Sequence, residues 1–373
     1  MTDTSDVVIV GAGAAGCAVA YYLAKVGIKS TIIEREGIAA KASGFSAGGL
    51  NPLQGTAIPG PLGPLAIESF RMHRAIWPEL MEKSGVDFSP GVISAVRVAF
   101  DDADVPALVE TQEIFESAGG GFYANWLDAD QLREIEPRIA SDSVRALDTY
   151  GNAVLSSYRY TLALVQTAES MGAVVRSENV VGVKSTGGKV TSVVLEGGEV
   201  GCGSVVFATG PWAGQVEEWL GVRVPVEPLK GEILRMRLPD QAQPDRDFQG
   251  AGVSINHRED GQVWVGATEE RRGFDAEPSI EARDRLMAGA LRLMPAMADA
   301  ELVLHTACLR PVTPDWLPIV GRAPGWENAY LATGAGKKGI LFSPGMGKSV
   351  ADLISVGSTD LPVEAFKPDR FVE

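Results

Sequence analysis

VVIVGAGAAGCAVAYYLAK, residues 7–25, is the stretch of sequence that decides the fold. Four β-branched residues, 7–10, lead into a turn that carries Gly11, Gly13 and Gly16, and residues 18–25 have helical character. A second apolar segment, residues 30–33, ends at Glu34. A strand, a glycine-rich turn, a helix and a second strand in this order predict a βαβ unit that opens a parallel sheet.

The three glycines have the spacing of a dinucleotide-binding turn. In such a turn Gly11 permits the tight bend, Gly13 lets the backbone approach a pyrophosphate, and Gly16 lets the helix pack closely on the strand. The phosphates would meet N–H groups and the positive end of the helix dipole. Glu34 follows Gly11 by 23 positions, near the spacing of an acid that binds a ribose. The alternatives are a glycine-rich turn without a ligand and an ordinary surface acid, and the pattern alone fits both FAD and NAD.

Composition and charge exclude several classes of protein. The chain has 373 residues, which favours two domains or one large α/β body with an insertion. A net charge of −15 makes nucleic acid and anionic membrane poor partners. The three cysteines, at 17, 202 and 308, have no metal-ligand or CxxC spacing, so we expect no metal and no need for an oxidising compartment.

The uncharged run at residues 7–24 resembles a membrane span or a signal sequence only in length. Three glycines interrupt it, and acidic Asp3 and Asp6 stand before it where a signal would carry basic residues. We therefore expect no membrane insertion and a cytoplasmic protein.

The periodicity of the remaining chain predicts alternating helices and strands. Predicted helices cover residues 65–83, with a kink or restart at Pro78, and 107–118, 128–134, 158–171, 279–298 and 347–356. Predicted strands cover residues 86–100, 173–176, 180–184, 189–195, 204–208, 301–310 and 329–332, with antiparallel strands in 222–268. Residues 39–65 are too irregular for a regular element, and a loop of this length is usually functional.

Beyond the glycine motif, several further segments resemble one family from end to end. They are KASGFSAGGL (41–50), LREIEP (132–137), VVFATGPW (205–212), LKGE (229–232), VGAT (265–268), LRPVTPDWLPIVG (309–321) and LATGAGKKGIL (331–341). With them the chain resembles the D-amino-acid oxidase superfamily, and within it the glycine oxidase and sarcosine oxidase group.

The resemblance implies an α/β protein of two domains. A Rossmann-like FAD-binding domain with a mainly parallel sheet would comprise residues 1–85, 150–221 and 320–373. A substrate-binding domain with a large antiparallel or mixed sheet would comprise residues 86–149 and 222–319. The oligomeric state stays open.

The resemblance also implies which residues bind FAD. Those expected to contact the cofactor are Gly11, Gly13, Ala14, Ala15, Gly16, Glu34, Arg35, Lys41, Ala42, Ser43, Ser46, Ala47, Gly48, Val180, Thr209, Gly210, Trp212, Gly336, Lys337, Lys338, Gly339 and Ile340. Residues 345–349 are expected to open the last helix, with its N-terminus against the flavin pyrimidine. Cys308 stands where some sarcosine oxidases attach the flavin covalently, and we expect it to be a buried thiol beside a non-covalent cofactor.

Three residues are the expected catalytic group. Arg310 matches the position that binds the substrate carboxylate, a task suited to a planar guanidinium, and the alternative is a structural ion pair. Lys337 stands in a loop where glycine oxidases tend to have an aromatic residue or histidine followed by Arg-Asn, so the chain departs from the family there. A lysine in this loop would help to hold the carboxylate or an anionic flavin, and the alternative is a solvated loop charge. His257 belongs to the predicted substrate-domain sheet, and simple surface exposure is its alternative.

The implied reaction is oxidation of a small amino acid or N-alkylated glycine, with hydride transfer to the flavin and hydrolysis of the resulting imine. The electron acceptor would be O₂ or another oxidant. Two other functions stay open: an FAD-dependent 2-hydroxy-acid dehydrogenase, and a flavin-binding subunit of an electron-transfer complex.

Overall fold

Two β-sheets and the helices packed on them form the molecule. A computed structural model describes residues 3–239 and 243–372. The strands are β1 (Asp3–Val10), β2 (Ser30–Glu34), β3 (Gly49–Leu50), β4 (Gly91–Ala99), β5 (Tyr123–Asp128), β6 (Arg145–Val154), β7 (Val174–Ser177), β8 (Val180–Thr186), β9 (Lys189–Leu195), β10 (Gly198–Phe207), β11 (Glu227–Arg237), β12 (Asp247–Gly250), β13 (Val253–His257), β14 (Val263–Gly266), β15 (Glu301–Val312), β16 (Ile319–Arg322) and β17 (Ala329–Thr333). The helices are α1 (Ala14–Lys25), α2 (Ala42–Phe45), α3 (Gly63–Ser84), α4 (Val105–Ala118), α5 (Ala129–Ile135), α6 (Ser157–Ser170), α7 (Gly214–Leu220), α8 (Ile280–Leu293) and α9 (Gly339–Ser355).

The first sheet is mainly parallel and begins with the predicted βαβ unit. Its order is β16-β17-β10-β1-β2-β7, with β16 antiparallel to β17 and a β8–β9 hairpin attached to β10. Strand β1 pairs with both β2 and β10 in parallel, and its last four residues are buried. A hydrophobic core lies between this sheet and helices α1, α3, α6 and α9. The carboxyl ends of its central strands therefore face a common edge of the sheet.

The second sheet is mixed and carries the strands predicted in residues 222–268. Its order is β15-β11-β14-β13-β12-β4-β6-β3, with β5 on β6. Neighbours are antiparallel except β12 and β4. A second core fills the space between one face of this sheet and α8. The two sheets confirm the predicted α/β class.

Asp128 begins α5 as its sequence predicts. Its carboxylate accepts hydrogen bonds from the N–H groups of Asp130 (3.0 Å) and Gln131 (2.9 Å), and the Gln131 side chain accepts one from the Asp128 N–H. This reciprocal arrangement is a capping box, which satisfies donors that the first helical turn leaves free.

The prediction that the last helix starts near residue 347 is wrong, because α9 begins eight residues earlier, at Gly339, and continues through Pro344. The glycines that suggested a helix start serve packing instead: a Cβ at Gly347 would lie 2.6 Å from the main-chain carbon of Ala18 in α1. Likewise α3 runs unbroken through Pro78. In both helices the burial of apolar side chains outweighs the local cost of proline.

No helix within residues 3–239 and 243–372 is long and apolar enough to cross a membrane.

Candidate active site

A cavity of about 580 Å³ is lined by residues of both sheets. The first sheet contributes the ends of β1, β2 and β10 and the loop that follows β17, while α1 and α9 begin at its wall. The second sheet contributes one face. All residues expected to contact FAD line this cavity except Gly16.

Gly11 and Gly16 have different structural tasks at the start of α1. Gly11 has φ +105°, and a Cβ there would lie 2.5 Å from the carbonyl oxygen of Ala208, the residue that follows β10. A Cβ on Gly16 would overlap the carbonyl oxygen of Gly11. Gly16 therefore stands behind the cavity wall, where it allows the helix and the turn to approach each other.

Hydrogen bonds organise the wall around this turn. The Glu34 carboxylate accepts from the N–H groups of Ala12 and Glu36, each at 2.9 Å. The Ser43 hydroxyl accepts from the Ala14 N–H at 2.9 Å, which ties the segment after β2 to the first turn of α1. Together they place a carboxylate and a helix N-terminus on one wall, as ribose and phosphate recognition requires.

Two further features fit a dinucleotide. The buried hydroxyl of Thr209 borders the cavity and has no hydrogen-bond partner within the described residues. The Arg35 guanidinium carbon lies 4.6 Å from the ring centre of Trp212, so these two residues form a flat aromatic and cationic surface on the cavity wall. The donor set therefore fits FAD, and residues of the Gly11 turn, Glu34, Ser43 and Thr209 would hold it.

Arg310 projects into the cavity from β15 without an acidic partner. Its Nη1 donates to the Thr268 carbonyl at 2.9 Å, and within the described residues no carboxylate lies in salt-bridge distance. The ion-pair alternative is therefore not what the structure shows. A guanidinium left without a carboxylate in a cavity is suited to a ligand carboxylate.

The two consecutive lysines point to different surroundings. Lys337 is an ion-pair partner of Glu269 at 2.7 Å and lies 5.6 Å from the ring centre of Trp316. Lys338 reaches inward, where its Nζ donates to the Asn51 carbonyl at 3.0 Å. Burial lowers the pKa of Lys338 to about 8, and the nearby charges of Arg97 and Lys337 act in the same direction. Both lysines line the cavity; Lys337 is paired with Glu269, whereas Lys338 has no carboxylate partner in the described residues.

His257 does not line the cavity, contrary to the sequence-based expectation. On β13, Ser254 and Asn256 line it. Successive side chains of a strand point to opposite faces, so His257 projects away. Its neighbour Arg258 lines the cavity but is bound to Asp247, with Nη1–Oδ1 at 2.9 Å and Nη2–Oδ2 at 3.2 Å.

Cys308 lines the cavity and is 8% exposed. Burial raises the pKa of its thiol above the ordinary value, with a smaller opposing effect from Arg310. A thiol held in the protonated form is a weak nucleophile.

Sequence analysis missed several polar residues of the second sheet that face the cavity. Arg97, Gln249 and Asn256 lie on β4, β12 and β13. The signal was present for Arg97, which alternates with buried Val96 and Val98 in an apolar segment. Alternation along a strand predicts that Arg97 lies on the face opposite Val96 and Val98, but it does not predict that this face borders a cavity.

The sequence and the fold match known proteins. The DAO model, FAD dependent oxidoreductase, matches residues 6–353. Glycine oxidase of Geobacillus kaustophilus is 30% identical over 375 residues, covering 100% of this chain and 98% of that protein. The hydrogen cyanide synthase subunit HcnC of Pseudomonas aeruginosa is 28% identical, with 100% and 97% covered. The crystal structure of the Geobacillus kaustophilus glycine oxidase superimposes with a TM-score of 0.92 at 28% identity, covering 100% of both chains.

Proposed function

The chain belongs to the DAO family of FAD-dependent oxidoreductases, and on that premise we propose that it oxidises a small amino acid or an N-alkylated glycine. The observation that carries the proposal is the guanidinium of Arg310, which has no acidic partner and shares one cavity with the dinucleotide turn. O₂ is the proposed electron acceptor, as the name of the glycine oxidase relative suggests.

The protein's own part in the reaction is binding and electrostatics. FAD, when bound, supplies the hydride acceptor for the substrate α-carbon, and the oxidised amine leaves as an imine that water hydrolyses. Arg310 holds the substrate carboxylate and so limits the orientations of the α-carbon. The first turn of α9, which begins at Gly339, adds positive potential that would stabilise negative charge on the reduced cofactor. A substrate amine bound in its neutral form needs no dedicated base.

Anaerobic bleaching of the flavin tests the proposal. Purified holoprotein is mixed with glycine, sarcosine and both alanine enantiomers, and separately with lactate and 2-hydroxyglutarate. We expect loss of flavin absorbance with at least one amine, and peroxide on admission of air. Bleaching by hydroxy acids alone would establish a hydroxy-acid dehydrogenase, and a yellow protein that no substrate bleaches would indicate an electron-transfer subunit.

Substitution of Arg310 tests its role. Arg310→Ala removes charge-assisted hydrogen bonds to the carboxylate, each of which is worth about 1.5–3 kcal/mol, so KM should rise roughly 100-fold or more. The variant should remain yellow. Arg71→Ala, at an arginine whose side chain is 73% exposed on α3, is the matched control and should leave KM unchanged. Unaltered kinetics of Arg310→Ala would remove Arg310 from the site.

Acid precipitation tests how the flavin is attached. We propose a non-covalent cofactor, because the raised thiol pKa of Cys308 disfavours a nucleophilic thiolate. Precipitation of the wild type should release all yellow colour into the supernatant. Colour retained on the pellet, and lost from it in Cys308→Ser, would instead demonstrate a covalent bond at this cysteine.

A further inference from the structure

The cavity contains more positive charge than its own acids neutralise. Four cavity-lining cations have a carboxylate partner in the described residues: Arg35 and Lys41 with Glu36, Arg258 with Asp247, and Lys337 with Glu269. Three others have none there: Arg97, Arg310 and Lys338. One substrate carboxylate would account for Arg310, so two cations are left without an anion.

Arg97 is the less expected of these two. It projects from β4 on the face that carries Ile93 and Ala95, whereas Val96 and Val98 point into the core. Within residues 3–239 and 243–372 its guanidinium has no hydrogen bond and no ion pair. Burial lowers the pKa of Arg97, but a guanidinium keeps its proton in proteins. A partly buried charge without a partner is costly, which makes a missing anion the simplest account of this residue.

Lys338 lies close enough to Arg97 for the two charges to repel. Arg97 is, after burial, the largest cause of the lowered Lys338 pKa. The lysine stem is confined, since a Cβ on Gly55 would lie 2.5 Å from its Cε. Its ammonium has three donors, of which the Asn51 carbonyl accepts one at 3.0 Å. The other donors remain available to a ligand in the cavity.

A neutral donor stands beside this pair. Gln249 of β12 is in register with Arg97 of β4, and its side chain also lines the cavity. β12 and β4 are parallel neighbours, and neighbouring strands lie about 4.8 Å apart, so the amide and the guanidinium can share one anion. A guanidinium fork, an ammonium and an amide together match the several acceptor lone pairs of a carboxylate.

We propose that Arg97, Lys338 and Gln249 form a second carboxylate site, and that the preferred substrate is an amino or imino acid with two carboxylates. Arg310 binds the carboxylate next to the reacting carbon, and the second site binds the distal one. This inference rests on the proposed function for the reacting amine and for the role of Arg310. The pyrophosphate is expected at the Gly11 turn that opens α1, an element that contributes none of these three residues.

Equilibrium binding tests the site without turnover. Purified holoprotein is titrated with malonate, succinate and glutarate, and with their half-amides, while the flavin absorption spectrum is recorded. The half-amides keep size and shape but lack the second charge. At least one dicarboxylate should bind 10-fold or more tightly than its half-amide. Arg97→Gln should abolish most of that ratio and leave the half-amide Kd within a factor of about two, whereas the exposed control Arg71→Gln should preserve the ratio.

Three results would overturn the second site. The first is equal affinity for dicarboxylates and half-amides in the wild type. The second is an Arg97→Gln variant that weakens both ligand classes equally. The third is an Arg97→Gln variant whose ligand-free flavin spectrum is altered, since Arg97 would then act on the cofactor.

Substrate reduction separates this inference from the proposed function. Aspartate and glutamate are compared with asparagine and glutamine, in both enantiomers, by anaerobic bleaching. The inference predicts faster reduction by an acid than by its amide, and Arg97→Gln should equalise the two. If glycine or sarcosine bleaches the flavin but acids have no advantage, the proposed function stands and the second site falls. If no amine bleaches the flavin while dicarboxylates still bind through Arg97, the second carboxylate site is supported and the proposed function is wrong.

Discussion

The guanidinium of Arg310 lies over a residue without a side chain. In the register of the second sheet, Leu229 of β11 pairs with Arg310 of β15, and Gly231 follows two positions later on the same face. A Cβ at Gly231 would overlap the guanidinium carbon and both terminal nitrogens of Arg310. The position of the charge therefore depends on Gly231 as well as on the hydrogen bond to the Thr268 carbonyl.

Replacing Gly231 tests that dependence. Gly231→Ala should push the guanidinium out of place and weaken at least one charge-assisted hydrogen bond to substrate, so KM should rise roughly 10-fold or more with a smaller change in kcat. Bound FAD should be retained. Gly91→Ala is the control on the same sheet, since a Cβ there meets no atom within 4 Å. A Gly231→Ala enzyme with wild-type KM would show that Arg310 tolerates displacement.

At the scale of elements, a buried histidine of α3 is hydrogen-bonded to the first turn of α9. His73 of α3 is completely buried, and its Nε2 donates to the Ile340 carbonyl at 2.9 Å. Its Nδ1 is buried without a partner in the described residues. Burial lowers the pKa of His73 to about 4, although the hydrogen bond to the Ile340 carbonyl opposes this shift. The histidine is therefore neutral when the protein is folded at neutral pH.

This histidine should make stability depend on pH. Below about pH 6.5 the unfolded chain binds a proton at His73 that the folded protein does not take up until about pH 4. Stability should consequently decrease as pH falls through this window, by about 2 kcal/mol between pH 7 and pH 5, and His73 should add no further loss below pH 4. Denaturant unfolding of the wild type and His73→Gln at several pH values measures this contribution. Parallel curves for the two proteins would exclude it.

At the scale of the whole molecule, Arg258 connects the second sheet to the segment after β2, which is expected to contact the flavin. Its guanidinium is bound to both carboxylate oxygens of Asp247 and also donates to the Ala47 carbonyl, which lies in the segment after β2. Both charged residues are buried, at 4% and 8% exposure. The pair thus links the wall expected to face the substrate with the wall expected to face the cofactor.

Removing Arg258 should affect both walls. Arg258→Met leaves Asp247 buried without a partner, which typically costs about 3–5 kcal/mol, and it releases the segment at Ala47, so FAD affinity should fall as well. Denaturant unfolding and flavin titration measure the two effects. Arg237→Met, which breaks an exposed ion pair with Glu301, should change stability by less than about 1 kcal/mol.

A double substitution provides the internal check. Arg258→Met combined with Asp247→Leu removes the uncompensated charge, so part of the lost stability should return while FAD affinity stays low. If the double variant is as unstable as the single one, buried charge is not the cause.

The sequence by itself determined the fold class, the family and the position of the dinucleotide-binding turn. These depend on local patterns: β-branched residues before Gly11, a helix after Gly16, and an acid at the tip of the next strand. Such features are set by backbone sterics and by side-chain periodicity over a few residues, which the sequence carries directly.

Only the tertiary structure decided which charged side chains share the cavity. Lys337 and Lys338 are neighbours in sequence, yet one pairs with Glu269 and the other enters the interior. Arg97 lines the cavity, whereas His257 does not. Helix α9 begins at Gly339 because its packing against α1 and α3 outweighs the cost of Pro344 within the helix. Each outcome depends on residues distant in sequence, since packing between elements selects the direction and the charge environment of a side chain.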